Sequence, residues 1–344
     1  MKIGILTACR TNNNGTNLQA LAMQILFSKY TERVELINYK CNKLENSRRV
    51  FFPHTFKGVL NIPYRIYRSI SHERFRKKYF SYSMEKYDQN NIDQNRYDII
   101  VVGSDQVWNL SVTGGDLSFY LPYKNNKQKK YTYAVSMGKR NIAEWQSVYN
   151  LSDYLSDFKT ISLREESSIN SLDSIGISSQ FDLDPLLMIE KEEWEKYVSP
   201  KHIKGKYICV YLVEQNVEAL KFAIEYANAN CCEVYYFGNP LKYIPNVKVK
   251  RFVGISEWLG YIKNANAIIT NSYHGLAFCI LFEKPFSYWN LRDRESSMRM
   301  LDLINRLNID VTQDIVKPDW QRVLSLLTNE RKKSIDYVKR IVGE

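Results

Sequence analysis

Short, nearly unbroken apolar runs alternate along this chain with segments of helical periodicity, and that alternation most constrains its fold. Residues 2–7 form one such run and 34–39 another; between them Leu18, Leu21, Ala22, Ile25 and Leu26 recur at the spacing of one helix face. A strand that is apolar on both sides must be covered on both sides, so strand–helix–strand order predicts a parallel sheet flanked by helices. The same reading puts strands at 97–102, 131–136 and 159–163, with a helix over 142–156. A second series follows: strands at 207–213, 233–237, 247–252, 267–270 and 285–288, helices at 217–230, 256–263 and 275–282. Residues 320–342 read as one or two amphipathic helices.

At 344 residues the chain exceeds the size at which one core keeps growing. The two series therefore predict an α/β protein of two Rossmann-like, doubly wound domains facing a cleft. The expected boundaries are 1–188 and 206–317, joined by a charged linker at 189–205 that carries Pro200 and Gly205, with C-terminal helices over 318–344. Residues 43–82 interrupt the first series as an inserted helical excursion. Ten Lys or Arg between 43 and 80 face two Glu there, and Phe and Tyr are interleaved. A solvated charged helix, a surface for anionic lipid and a nucleic-acid contact all fit that composition. No helix-turn-helix, RNA-recognition or zinc-finger signature supports the last, so no nucleic-acid partner is expected.

Overall, Lys and Arg outnumber Asp and Glu by 48 to 37, which favours anionic partners without choosing among them. Six cysteines show no C-x-x-C pair and no regular framework, and a chain this size needs no disulfide staples, so a reducing compartment is expected. The first six residues give way to polar sequence and no window holds 18 apolar residues, which predicts a cytoplasmic protein without signal peptide or spanning helix. His54, His72, His202 and His274 are too scattered for a ligand set, and no metal is expected.

In open α/β sheets ligands gather beyond the strand C-termini, which selects the loops at 12–16, 103–109, 163–168 and 271–275. His274 follows a strand and the polar turn Asn271-Ser272-Tyr273, and precedes Gly275 and a helix. That context suits acid–base or phosphate chemistry; local capping is the alternative. Arg164 opens a turn after a strand, with a carboxylate or phosphate as its bidentate partner, or its neighbours Glu165 and Glu166 in a salt bridge. Asp105 ends a buried strand and is placed to orient or deprotonate a hydroxyl, or else to cap the next helix. Asn12, Asn13, Asn14 and Gly15 precede a helix, where they can meet an anion or sugar hydroxyls, or form a turn and N-cap. Neither G-x-G-x-x-G nor a Walker sequence is present.

Taken in order, KIGILTACRTNNNGTNLQALAMQ, YDIIVVGSDQVWN, YAVSMGK, ISLREESS, LDPLLM and ISEWLGYIKNANAIITNSYHGLAFCILFEKPF resemble the polysaccharide pyruvyl transferase family. The resemblance implies a fold similar to GT-B glycosyltransferases. It also implies transfer of a pyruvyl group from phosphoenolpyruvate, as co-substrate and with no cofactor, onto two hydroxyls of a sugar, giving a cyclic ketal and phosphate. Arg164 matches the family's Arg in its S-x-R-E element and His274 the His of its His-Gly element, and the two are expected to converge on one anion. Arg164, Ser272, Tyr273 and Gly275 are then expected on the donor side. Asn13, Asn14, Gly15, Ser104 and Gln106 fall on the acceptor side, and His274 and Asp105 carry the chemistry. The chain departs from the family at Ser272, where an Arg is usual, and at Asn271, where an Asp is usual. Arg251, Arg292, Arg294 and Arg299 are the candidates to replace that cation. The implied acceptor is a cell-surface polysaccharide precursor, including one carried on polyprenyl phosphate, which would bring the 43–82 segment to the inner face of the membrane. A GT-B glycosyltransferase using a nucleotide sugar, or a non-catalytic basic glycan-binding protein, is the alternative.

Overall fold

In the computed structural model the chain divides into two compact units. The first comprises Met1–Arg49, Arg76–Ile189 and Thr328–Glu344; the second comprises Val50–Phe75 and Glu190–Leu327. The structure describes residues 1–45, 61–125, 127–138, 142–199, 205–238, 244–292 and 294–343, without the side chains of 143, 144 and 294–296. His54, His202, Pro200 and the part of the basic segment at 46–60 lie outside the described residues.

The first unit is built on β1 (Ile3–Leu6), β2 (Val34–Tyr39), β3 (Tyr82–Tyr87), β4 (Ile99–Asp105), β5 (Lys129–Val135), β6 (Phe158–Thr160), β7 (Ser162–Leu163) and β8 (Gln180–Phe181). They run in the order β3-β2-β1-β4-β5-β7-β8, with β6 on β5. All of these pairings are parallel. From β1 the chain winds one way to β2 and β3 and the other way to β4 and beyond, so the order reverses between β1 and β4. Asn13 caps the helix Asn14–Ser28 that makes the first crossover, its side chain accepting from the Thr16 amide at 3.1 Å. The helix expected over 142–156 is two, Ile142–Tyr149 and Leu151–Leu155, because Asn150 sits at φ 46° between them.

The second unit carries β9 (Tyr207–Tyr211), β10 (Glu233–Phe237), β11 (Val247–Lys250), β12 (Ala267–Thr270) and β13 (Phe286–Tyr288) in the order β11-β10-β9-β12-β13. Its strands are again parallel, with Thr270 opposite Tyr211 where the order reverses. Both sheets are therefore doubly wound, the arrangement that the alternating runs predict.

The unit boundaries differ from those expected at two places. The helix Ile62–Tyr79 belongs through Phe75 to the second unit, where the Tyr67 ring meets Phe252 edge-on at 5.3 Å and Ser71 packs against Gly254. The tail is one helix, Trp320–Val342, whose later turns rejoin the first unit. There the Tyr337 hydroxyl donates to the Thr132 carbonyl at 2.9 Å, Ser334 Oγ accepts from the Leu183 amide at 3.0 Å, and the buried Arg331 reaches the carbonyls of Leu187 and Ile189.

Candidate active-site loops

In the first unit, loops from β1, β4, β5, β7 and β8 meet beyond the strand C-termini. Asp105 ends β4 with φ 74°, a backbone state costly for a residue with a Cβ and one that clusters at functional sites. Its Oδ2 accepts from Thr16 Oγ1 at 2.6 Å, tying the end of β4 to the first crossover helix where the strand order reverses. Gln106 Oε1 accepts from Asn109 Nδ2 at 3.0 Å, and Gly138 packs so close to both that a Cβ there would stand 2.3 Å from Asn109 Nδ2. Trp108 is core: it stacks on Tyr120 at 5.1 Å and donates from Nε1 to the Phe119 carbonyl.

Asp184 is the hub of this cluster, although nothing in the sequence singles it out as one. Its Oδ2 accepts from Arg164 Nη1 at 2.6 Å and stands 3.5 Å from Ser104 Oγ, while Oδ1 caps the helix Pro185–Met188 through the Leu186 amide. Glu165 Oε1 lies 3.7 Å from Arg164 Nε, and the same carboxylate accepts from Ser136 Oγ. Ser104, Arg164, Glu165 and Asp184 are all buried. Arg164 thus meets a carboxylate of this chain, Asp184, beside the neighbouring Glu165, and Ser104 is engaged beside it. The ion pair of Arg164 is a buried one and not a surface salt bridge.

Asn13 is exposed and acts as the N-cap; Asn14 and Gly15 form the first turn of that helix. Beneath the loop, Arg76 is buried, donating to the Thr11 carbonyl at 2.6 Å and reaching Asn17 Oδ1 at 3.3 Å. Asn17 Nδ2 in turn donates to the carbonyls of Thr11 and Asn13. Arg76 reads in the sequence as one of many cations of a basic stretch, yet it supports this loop from inside. Nearby, burial pushes the Cys9 thiol up to about 11, with the charges of Arg10 and Arg76 opposing the shift. Asp182, just past β8, is raised to about 6 by burial, and hydrogen bonds from Ser162, Ser334 and Gln180 hold it from rising further.

In the second unit His274 lies in the first turn of the helix Tyr273–Leu281, directly after β12, half-buried and edge-on to Tyr273 at 5.7 Å. Ser272 is the N-cap, its Oγ accepting from the Gly275 amide at 3.3 Å. Gly275 has a packing reason beside any ligand contact: a Cβ there would stand 2.5 Å from Thr270 Oγ1 and 3.1 Å from the Tyr211 ring. Asn271 uses both ends of its amide, accepting from the Val213 N–H and donating to the Glu214 carbonyl, each at 2.8 Å. An Asp could not make the second bond, which accounts for Asn at this position. Burial raises the Tyr211 phenol, opposed by the charge of Arg68 and a hydrogen bond with Ser272.

Of the cations expected to replace an Arg at Ser272, Arg292 is 83% exposed with Nε 3.6 Å from Glu214, and Arg251 is also exposed. Arg299 is half-buried, and the Arg294 side chain lies outside the described residues. Among the described residues no group of three or more His, Cys, Asp or Glu could hold a metal ion, and no helix is long and apolar enough to cross a membrane.

Comparison with known proteins places the fold and the family. An S. aureus MnaA–UDP co-structure is 10% identical with a TM-score of 0.51, covering 98% of this chain and 96% of that one. A candidate UDP-N-acetylglucosamine 2-epimerase of Listeria monocytogenes is 11% identical with a TM-score of 0.50, covering 98% and 90%. These likenesses show the fold, which is GT-B-like. No curated protein matches the sequence. The family model for polysaccharide pyruvyl transferase matches residues 14–288, a span that holds Asp105, Arg164, Asp184 and His274, and the chain belongs to the polysaccharide pyruvyl transferase family.

Proposed function

We propose that this protein transfers a pyruvyl group from phosphoenolpyruvate to two hydroxyls of a sugar in a cell-surface polysaccharide precursor. The observation that carries this reading is the setting of His274: a half-buried imidazole in the first turn of a helix, at the reversal point of a doubly wound sheet, within the span of the family match. Helix-start amides and an imidazole of reference pKa near ~6.5 suit a phosphate that must leave and a carbon that must be protonated.

In this reaction the donor's methylene carbon takes a proton, which makes its C2 an oxocarbenium-like centre. One sugar hydroxyl adds there and gives up its proton; the C2–O bond to phosphate breaks, and the second hydroxyl closes the ketal. Of the two hydroxyl protons, one balances that taken by the methyl group and the other leaves on phosphate. His274 is the group we assign to these transfers. Asp105, half-exposed at the end of β4, is the one we assign to the acceptor hydroxyls, with its Thr16 bond fixing its orientation. Arg164 and Ser104 serve as positioning residues through Asp184.

The released product is the test. Inorganic phosphate formed from phosphoenolpyruvate in the presence of a sugar acceptor supports the reading. Release of a nucleoside diphosphate from a nucleotide sugar, with no phosphate from phosphoenolpyruvate, rejects it.

A further inference from the structure

Arg68 is a cation that no sequence motif marks. It lies on the helix Ile62–Tyr79, in the part that belongs to the second unit. The residue is half-buried, its guanidinium 3.3 Å from the Tyr64 hydroxyl and 5.9 Å from the centre of that ring, and among the described residues it meets no carboxylate. A half-buried arginine ordinarily has an anionic partner, because removing its charge from water is costly.

The packing around this helix gives Arg68 its surroundings. Tyr67 and Ser71 fix the helix against Phe252 and Gly254, at the start of the helix Ile255–Asn264. Trp258 of that helix meets the Tyr211 ring at 5.0 Å, and Tyr211 in turn touches the turn that begins the His274 helix, close to Gly275. The Arg68 charge acts on the Tyr211 phenol, to which Ser272 is also hydrogen-bonded. The helix contributed by the 43–82 segment therefore carries, in the second unit, a guanidinium whose charge reaches Tyr211, the ring that packs against the turn at Gly275. Arg251 and Arg292 are exposed, Arg292 stands against Glu214, and the cation whose charge acts on Tyr211 is Arg68.

We infer that Arg68 binds the phosphate of the donor beside the His274 helix, so that the 43–82 segment supplies the cation this chain lacks at Ser272. The inference rests on the reaction proposed above for its ligand, phosphoenolpyruvate, and on Arg68 alone for the contact.

Titration calorimetry on the full chain with phosphoenolpyruvate, inorganic phosphate and UDP tests it. Arg68→Gln is expected to weaken phosphoenolpyruvate by about tenfold or more, as loss of a charge-assisted hydrogen bond does. Arg68→Lys recovers part of that, since a point charge lacks the planar fork. Arg65→Gln, exposed on the same helix, binds like the unsubstituted protein. Phosphoenolpyruvate affinity unchanged in Arg68→Gln overturns the inference and leaves the proposed reaction standing. UDP bound in place of phosphoenolpyruvate, and weakened in Arg68→Gln, overturns the reaction and upholds Arg68 as a phosphate ligand. If the unsubstituted protein binds none of the three, both fall. Should Arg68→Gln fail to fold, Arg68→Lys decides: several-fold weaker binding supports the contact and unchanged binding overturns it.

Discussion

Arg164 and Asp184 form a buried ion pair, Nη1 to Oδ2 at 2.6 Å, with 1% and 0% of the two side chains exposed. It joins the segment after β7 to the segment after β8, and Ser104 at the end of β4 leans on the same carboxylate. Removing one partner from such a pair strands the other's charge. Asp184→Ala is expected to cost about 3–5 kcal/mol, a fall on the order of 10 °C in the melting temperature. Replacing both residues with apolar ones of similar volume should cost less than either single change. A melting curve for Asp184→Ala that overlays the parent's would remove the pair from the architecture.

His274 is half-buried. His274→Ala should therefore keep the fold while phosphate release from phosphoenolpyruvate drops roughly 10²-fold or more, the usual scale for a positioned acid–base group. Turnover near that of the unsubstituted enzyme would take His274 out of the chemistry.

Two substitutions test the turn that holds it. Gly275→Ala drives a Cβ toward Thr270 Oγ1 and the Tyr211 ring; overpacking of this kind costs about 1–3 kcal/mol. Asn271→Asp deletes the donor to the Glu214 carbonyl and sets a carboxylate against it, at a cost of about 1–3 kcal/mol. Denaturant unfolding midpoints measure both, and an unchanged midpoint in either contradicts the packing of this turn.

Asp182 predicts a pH dependence of stability. Its folded value, about 6, lies above the ordinary 3.8, because burial disfavours the charged form. Between those values the folded chain binds more protons than the unfolded one, so stability falls as pH rises through the window and levels off above it. The whole effect is up to about 3 kcal/mol. Asp182→Asn should flatten the melting temperature between pH 4 and 6 relative to the parent; an identical slope in both proteins would show that Asp182 does not titrate there.

Much of the sheet framework is legible in the sequence because buried parallel strands write themselves as apolar runs. The residues of β2, β10 and β12 stand where that pattern puts them. β3 escapes it: Tyr82–Tyr87 has three consecutive exposed residues, as an edge strand can, and no run to mark it. The position of a candidate residue is legible where a motif sits at a strand end, as for Asp105, Arg164 and His274. It is illegible where meaning comes from packing. Asp184 is one letter of the string LDPLLM until β4 and β7 bring Ser104 and Arg164 to it. Arg76 and Arg68 are two among ten basic residues of one stretch until burial and neighbours separate them.

The return of the Trp320–Val342 helix to the first unit sets an order of events during synthesis. Residues as far as Ile189 leave the ribosome well before Thr328, and at about 5–20 residues per second the wait is on the order of ten seconds or more. Through that interval the surface around Thr132, Tyr133 and Leu183 is without its cover, so a nascent chain stalled before Thr328 presents an incomplete first half to chaperones and proteases.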